Sequence, residues 1–151
     1  MAKFRFKMES ILSIKEKMES QAKAEYGMEL VRLREEEEKL EALNERRLDY
    51  QMQLTAAVGS RLFIRKIKDL ENAVENIKYN MQLQRIVIRQ QEQRVEAARQ
   101  KMDEAMKERK TYEKLKEKAF EEFLLELDAS ERKEVDELVS FRYQNASESE
   151  D

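Results

Sequence analysis

The chain has 151 residues, of which 42% are charged and 40% hydrophobic, and it contains no Pro, Cys, His or Trp and only two Gly. Without Cys and His, the sequence excludes disulfides, thiol nucleophiles, zinc held by Cys or His, and base catalysis by histidine. A chain so poor in Gly and Pro makes few tight turns, whereas Glu, Lys, Arg, Leu, Met, Gln and Ala are strong helix formers. Because the apolar residues are plentiful and periodic, the composition predicts long helices and not disorder.

Charge is distributed unevenly along the sequence. Residues 1–60 carry 11 basic and 12 acidic side chains, residues 61–110 carry 13 and 8, and residues 111–151 carry 6 and 13. This asymmetry indicates protein partners, and the overall charge of −3 does not favour nucleic acid. No run approaches the roughly 18 apolar residues of a membrane span, and no signal-peptide pattern follows the basic start, so we expect a cytoplasmic protein.

The first half predicts a helix over about residues 4–58. Its apolar residues recur with a period nearer 3.6 than 3.5 residues, which is typical of a helix that supercoils less and contains stutters in the seven-residue repeat. Lys15 and Arg47 fall on the same stripe, where their stems can cover apolar surface. The apolar members are Phe4, Met8, Ile11, Met18, Ala22, Tyr26, Leu30, Leu33, Leu40, Leu43, Tyr50, Leu54 and Val58.

A turn at about residues 59–61 and a second helix over about 62–128 follow. Gly59 predicts the turn, because glycine accepts the left-handed conformation that ends many helices. The second helix carries a seam with a sustained seven-residue repeat, which indicates a left-handed supercoil with a partner helix. The seam consists of Ile67, Leu70, Val74, Ile77, Met81, Ile88, Val95 and Met102, with Gln84 and Gln91 interrupting it. The fold class is therefore all-α, a long antiparallel two-helix coiled-coil hairpin; a parallel dimer of one continuous helix is the rival.

The end of the sequence leaves two courses open for the second helix. Asp128-Ala129-Ser130-Glu131 has the form of a capping box, which starts many helices. The helix either bends there and starts a short last helix to about residue 143, or continues without a break over 129–143, and a disordered acidic tail is expected over 145–151. Residues 1–144 then form a single hairpin.

The sequence indicates no catalytic, cofactor or metal site. An active site needs a concave pocket, which two helices alone do not supply. The run Glu35 to Glu38 cannot converge on one atom, because consecutive helix positions point in different directions. Gly-rich phosphate loops and nucleophile elbows are absent from the sequence. We therefore expect a protein that is not an enzyme and that needs no cofactor.

Some apolar and basic residues lie off the seam. Arg61, Arg65, Lys66 and Lys68 crowd the predicted turn, which indicates either ordinary helix solvation or a positive end that docks on an acidic partner. Leu62 and Ile64 follow the turn, and Leu83, Ile86 and Val87 surround Ile88. Two helices cannot bury all of these, so they indicate either helix-end packing or a docking patch.

Both ends of the chain resemble the FliJ family of flagellar export proteins. The start, FRFKMESILSIK, resembles that family's F-x-[FL]-x-x-x-x-[IL]-L opening. YEKLKEK over residues 112–118, followed by ERKEVDEL over 131–138, resembles its E-K-L-K-E-K and later K-x-x-D-E segments. The order, spacing and total length of these motifs extend the resemblance over nearly the whole chain.

The resemblance implies a component of the flagellar type III export apparatus, a stalk-like coiled coil at the inner face of the membrane. Family members bind the hexameric export ATPase and link it to the cytoplasmic part of the membrane export gate; export chaperones are a further suggested partner. The candidate ATPase contacts, at the paired termini, are Phe4, Phe6, Ile11, Leu12, Lys116, Phe120 and Phe123. The candidate gate contacts, at the other end of the hairpin, are Tyr50, Leu62, Phe63, Leu70, Ala73 and Ile77.

Two other functions stay open at this point. One is the equivalent stalk of a virulence type III secretion system, whose sequence features barely differ from those of the flagellar stalk. A structural coiled-coil scaffold would form stable dimers or filaments, whereas we expect the free stalk to be a monomer.

Overall fold

The computed structural model describes residues 3–59 and 64–148. Two helices account for nearly all of them: α1 spans Glu9–Val58 and α2 spans Ile64–Glu148. The described residues contain no strand, and the two long helices pack against each other, which confirms the all-α helical hairpin. Of the predicted turn, only Gly59 is described; Leu62 and Phe63 lie outside the described residues.

The contacts of the chain divide it into two compact units. The terminal unit comprises residues 1–19 and 105–151, and the middle unit comprises residues 20–104. In both, a stretch of α1 packs against a stretch of α2. Each unit has its own set of contacts and is described separately below.

In the middle unit the helices run antiparallel around a mainly aliphatic seam. Glu29 contacts Gln91 and Glu36 contacts Gln84, so residue numbers rise along one helix as they fall along the other. The buried aliphatic residues of α2 follow intervals of four, three and four and then one of seven, within which the half-buried Gln84 takes the seam position. They are Leu70, Val74, Ile77, Met81 and Ile88. Ile67, Val95 and Met102 are half-buried.

The spacing in α1 differs from the predicted drift. Its less exposed positions alternate steps of four and three from Met8 to Ala57, so this helix also keeps a seven-residue repeat. Five seam positions carry charged side chains; Lys15 and Arg47 were placed on the stripe, whereas Glu19, Glu29 and Glu36 were overlooked by a search for apolar residues. Conversely, Ile11, Met18, Leu30 and Val58, which were placed on the stripe, are exposed. The α1 seam consists of Met8, Leu12, Lys15, Glu19, Ala22, Tyr26, Glu29, Leu33, Glu36, Leu40, Leu43, Arg47, Tyr50, Leu54 and Ala57.

The helix ends also differ from the predicted ones. Residues 3–8 are not helical, and α1 begins only at Glu9. Gly59 does not adopt a positive φ; its N–H donates to the Thr55 carbonyl at 3.3 Å and closes the last turn of α1. The helix α2 continues through residues 128–131 to Glu148, and this stretch contains no Gly or Pro to end it. Residues 145–148 of the predicted tail are therefore helical, and 149–151 lie outside the described residues.

Candidate partner-binding surfaces

A cluster of three phenylalanine rings lies in the terminal unit. The Phe4 ring meets Phe120 edge-on, with centroids 5.2 Å apart and planes at 74°, and its centroid is 5.6 Å from that of Phe123. Phe120 and Phe123 are neighbours on α2, with centroids 6.5 Å apart. Edge-on and tilted ring pairs are favourable because of the aromatic quadrupole. The non-helical start of the chain is therefore held against α2 by Phe4.

Ion pairs connect the two helices within the terminal unit. Lys116 Nζ lies 2.9 Å from Glu9 Oε2, and Lys15 Nζ donates to Glu108 Oε2 at 2.8 Å. The hydrogen bond to Glu108 raises the pKa of Lys15 above its ordinary value of 10.5. Both pairs are substantially exposed, so they contribute more to the alignment of the helices than to stability.

The most enclosed ion pair is between Glu19 and Arg109. The guanidinium donates from Nε to Glu19 Oε2 at 2.5 Å and from Nη2 to Oε1 at 3.2 Å, while Nη1 donates to Glu113 at 2.7 Å. The Glu19 side chain is only 8% exposed. The hydrogen bond to Glu19 raises the pKa of Arg109, so the side chain stays charged. Such a two-pronged pair is geometrically specific and fixes the register of the helices here.

Sequence reasoning missed this pair, although a signal for it was present. Arg109 follows Met102 by seven residues and so continues the α2 seam series. Glu19 lies four residues after Lys15 and three before Ala22, on the α1 seam. A search for charged residues at seam positions on both helices would have found both partners.

An open groove borders the phenylalanine cluster. Phe4, Leu12 and Phe120 supply its apolar surface, and acidic and basic side chains stand around it. The full lining is Phe4, Leu12, Glu16, Glu113, Lys116, Glu117 and Phe120. A shallow apolar surface with a charged rim suits a side chain of a partner protein, because the apolar centre supplies affinity and the rim supplies orientation.

The structure brings most of the predicted ATPase contacts to this part of the terminal unit. Phe4, Phe6, Phe123 and Lys116 are half-buried, and Phe120 is 44% exposed. Ile11 is exposed on α1. Leu12, in contrast, is 2% exposed, so it packs within the unit and its side chain offers a partner almost no surface.

The predicted gate contacts in the middle unit are less accessible. Leu70 and Ile77 are buried in the seam, which makes them residues of the helix–helix interface. Tyr50 and Ala73 are half-buried. A contact surface in the middle unit therefore has to be sought among exposed residues of α2, away from the seam.

Two glutamines of the middle unit clamp α2 to α1. Gln84 Nε2 donates to the backbone carbonyl of Glu36 at 2.9 Å and to its carboxylate at 2.6 Å. Gln91 does the same with Glu29, at 3.0 Å and 2.5 Å. The hydrogen bond from Gln84, with a second from Lys39, holds the pKa of Glu36 below its ordinary value of 4.5. Because a shift by one residue would break both clamps, they specify the register.

The described residues offer no site for a metal ion and no membrane span. Among residues 3–59 and 64–148, no group of three or more acidic side chains is placed to hold a metal. Within the same ranges, neither helix contains a stretch apolar enough to cross a bilayer.

Comparison with known proteins agrees with the motifs at the two ends. The model of the family described as "Flagellar FliJ protein" matches residues 4–148. No curated protein and no solved structure matches the chain. Since the family match extends from the first phenylalanine of the ring cluster to the end of α2, this chain belongs to the FliJ family and is a component of the flagellar protein export apparatus.

Proposed function

We propose that this chain is a stalk-like coiled coil that binds the export ATPase ring, promotes its assembly and activity, and links the ring to the export gate. It acts without catalytic residues, through contacts with other proteins at the cytoplasmic face of the membrane. Family membership supports the setting. The observation that carries the proposal is the half-exposed ring cluster of Phe4, Phe120 and Phe123 beside the charged groove.

The ring cluster suits an ATPase contact because it combines exposed apolar area with fixed geometry. Aromatic residues dominate the energetics of protein interfaces, since each buries a large area at low entropic cost. The Glu9–Lys116 pair holds the two helices in register next to the cluster, so that the rings are organised before a partner arrives. Preorganisation of this kind increases affinity.

The proposed mechanism follows from symmetry. One copy of a two-helix chain has no rotational symmetry, whereas the ring repeats the same surface. The subunits of the ring therefore meet different parts of the chain. A subunit that makes more favourable contacts with the chain is biased toward the conformation in which those contacts form. Contact with several subunits at once also favours assembly of the ring.

The test is ATP hydrolysis by the purified export ATPase of the same organism, measured with and without this chain. We expect stimulation accompanied by formation of the hexamer. Phe120→Glu should abolish most of it, because a carboxylate on the ring cluster is incompatible with an apolar contact. Met52→Glu is the matched control, since Met52 is exposed in the middle unit, and it should stimulate like the unaltered chain.

Two results would contradict the proposal. No stimulation and no binding by a folded chain would remove the ATPase as a partner. Equal loss with Phe120→Glu and Met52→Glu would show that the ring cluster is not the contact. A stable dimer in sedimentation, with no ATPase binding, would instead favour the structural scaffold.

A further inference from the structure

The helix α2 carries a second apolar stripe in the middle unit, on the side away from the seam. Tyr79, Leu83 and Ile86 are 62%, 44% and 48% exposed. At about 100° per residue, they point roughly 150° away from Met81, Gln84 and Ile88 of the seam. Val87 adds a further exposed aliphatic side chain at the edge. We call Tyr79, Leu83 and Ile86 the outer stripe.

The charge around the outer stripe is mainly basic, and Glu75, one helical turn before Tyr79, is the acidic residue at its start. From Asn76 to Gln91 the sequence contains no acidic residue, and its three charged side chains are Lys78, Arg85 and Arg89. Lys78 lies 3.7 Å from Glu75, a loose pair within one helical turn. Neither Arg85 nor Arg89 has an ion-pair partner among the described residues. Arg99, in the same unit, is held by both Glu96 and Asp103.

Packing within the unit gives no reason for this combination. Exposed aliphatic and aromatic side chains at i, i+4 and i+7 form the spacing that fits a helix laid alongside. Arg89 lies about 60° around the helix from Ile86, and Arg85 and Lys78 lie on the same side of α2. Basic side chains along one side of the stripe favour an acidic occupant, because complementary charge steers association and fixes orientation. The glutamine clamps hold the opposite side of α2 on α1, so the stripe keeps its outward position.

We propose that the outer stripe is a docking surface for an acidic amphipathic helix of a partner protein. The apolar face of that helix covers Tyr79, Leu83 and Ile86, and its carboxylates pair with Arg85 and Arg89. This surface lies in the middle unit and is separate from the ring cluster proposed to contact the ATPase. The two contacts can therefore fail independently.

Binding of two labelled helical peptides to the full chain tests this proposal. One probe is a Glu/Leu peptide with leucines on one face, and the other is its Lys/Leu counterpart. We expect the acidic peptide to bind about tenfold or more tightly than the basic one, and less tightly as salt rises. Leu83→Glu combined with Ile86→Glu should weaken binding of the acidic peptide about tenfold or more. Leu48→Glu with Met52→Glu, a matched pair of exposed apolar residues on α1, should leave it unchanged.

Charge reversal gives the sharper result. Arg85→Glu with Arg89→Glu keeps the stripe and inverts its rim, so this variant should prefer the basic peptide. Retained helicity and an unchanged melting temperature check that the variants fold. The proposal is overturned if both peptides bind alike, or if the stripe variants bind like the unaltered chain. It is also overturned if sedimentation shows that the stripe mediates self-association, which would make a second copy the occupant.

Discussion

The two units join stretches of the same two helices by different chemistry. The middle unit buries aliphatic side chains of α2 and adds two glutamine clamps. The terminal unit relies on ion pairs, of which Glu19–Arg109 is the most enclosed, and on three phenylalanine rings that stay partly exposed. Apolar burial supplies most of the free energy of folding, whereas partly exposed ion pairs supply little. We infer that the middle unit maintains the pairing of the helices and that the terminal unit leaves groups available to partners.

The largest expected effect comes from the aliphatic seam of the middle unit. Ile77→Ala should lower the free energy of unfolding by about 2–3 kcal/mol, at the lower end for buried aliphatic truncations because a two-helix seam is narrow. Urea denaturation followed by circular dichroism measures it. Ile86→Ala makes the same change at an exposed position of α2 and should alter stability by less than about 0.5 kcal/mol. Equal effects of the two substitutions would contradict the proposed role of the seam.

A smaller effect is expected from a glutamine clamp. Gln91→Met keeps the approximate length of the side chain but removes both donors to Glu29, which should lower stability by about 1–2 kcal/mol. Gln90→Met, at the adjacent exposed position, is the control and should be nearly neutral. An increase in stability with Gln91→Met would mean that the clamp specifies register at a net cost.

The ring cluster should contribute about 1 kcal/mol to stability, because its rings are only partly buried. Phe120→Ala removes the edge-on contact with Phe4, and the same denaturation experiment measures the loss. Phe141→Ala, at an exposed position of α2, should change stability by less than about 0.5 kcal/mol. If Phe120→Ala cost as much as Ile77→Ala, the ring cluster would be a core and not a surface.

The smallest effect concerns pH and the Gln84–Glu36 clamp. A carboxyl whose pKa is lower in the folded than in the unfolded chain stabilises the fold while it is ionised. The contribution of Glu36 is therefore fully present above its ordinary pKa of 4.5 and is lost as the pH falls through its lower folded value. Gln84→Leu removes the main cause of that shift, so its stability should fall less steeply than that of the unaltered chain below pH 4.5. Parallel declines would show that the clamp does not influence Glu36.

The sequence predicted the seam of α2 better than that of α1, for a physical reason. Along α2, Leu70, Val74 and Ile77 make the repeat visible as apolar residues. Along α1, seam positions such as Glu19 and Glu36 carry charge, and they are tolerated because Arg109 and Gln84 satisfy them from the other helix. Hydrophobicity within one helix cannot reveal a partner on the other. The repeat was therefore interpreted as drift.

The candidate sites were predictable only in part, again because packing decides exposure. Phe4, Phe120 and Phe123 were selected because the predicted hairpin pairs the two ends of the sequence, and the fold places their rings together. Leu12, Leu70 and Ile77 were selected as contacts but are buried, since a seam residue and a docking residue look alike in a sequence. The start of α1 was also placed too early, because Phe4 packs against α2 from a segment that is not helical.

The most direct test of the division between the units is amide hydrogen exchange of this chain with and without the export ATPase. We expect new protection in the terminal unit, over residues 3–19 and 105–127, and little change over 20–59 and 64–104. Protection confined to the middle unit would contradict the account, because the ATPase would then bind the unit that we assign to holding the helices together.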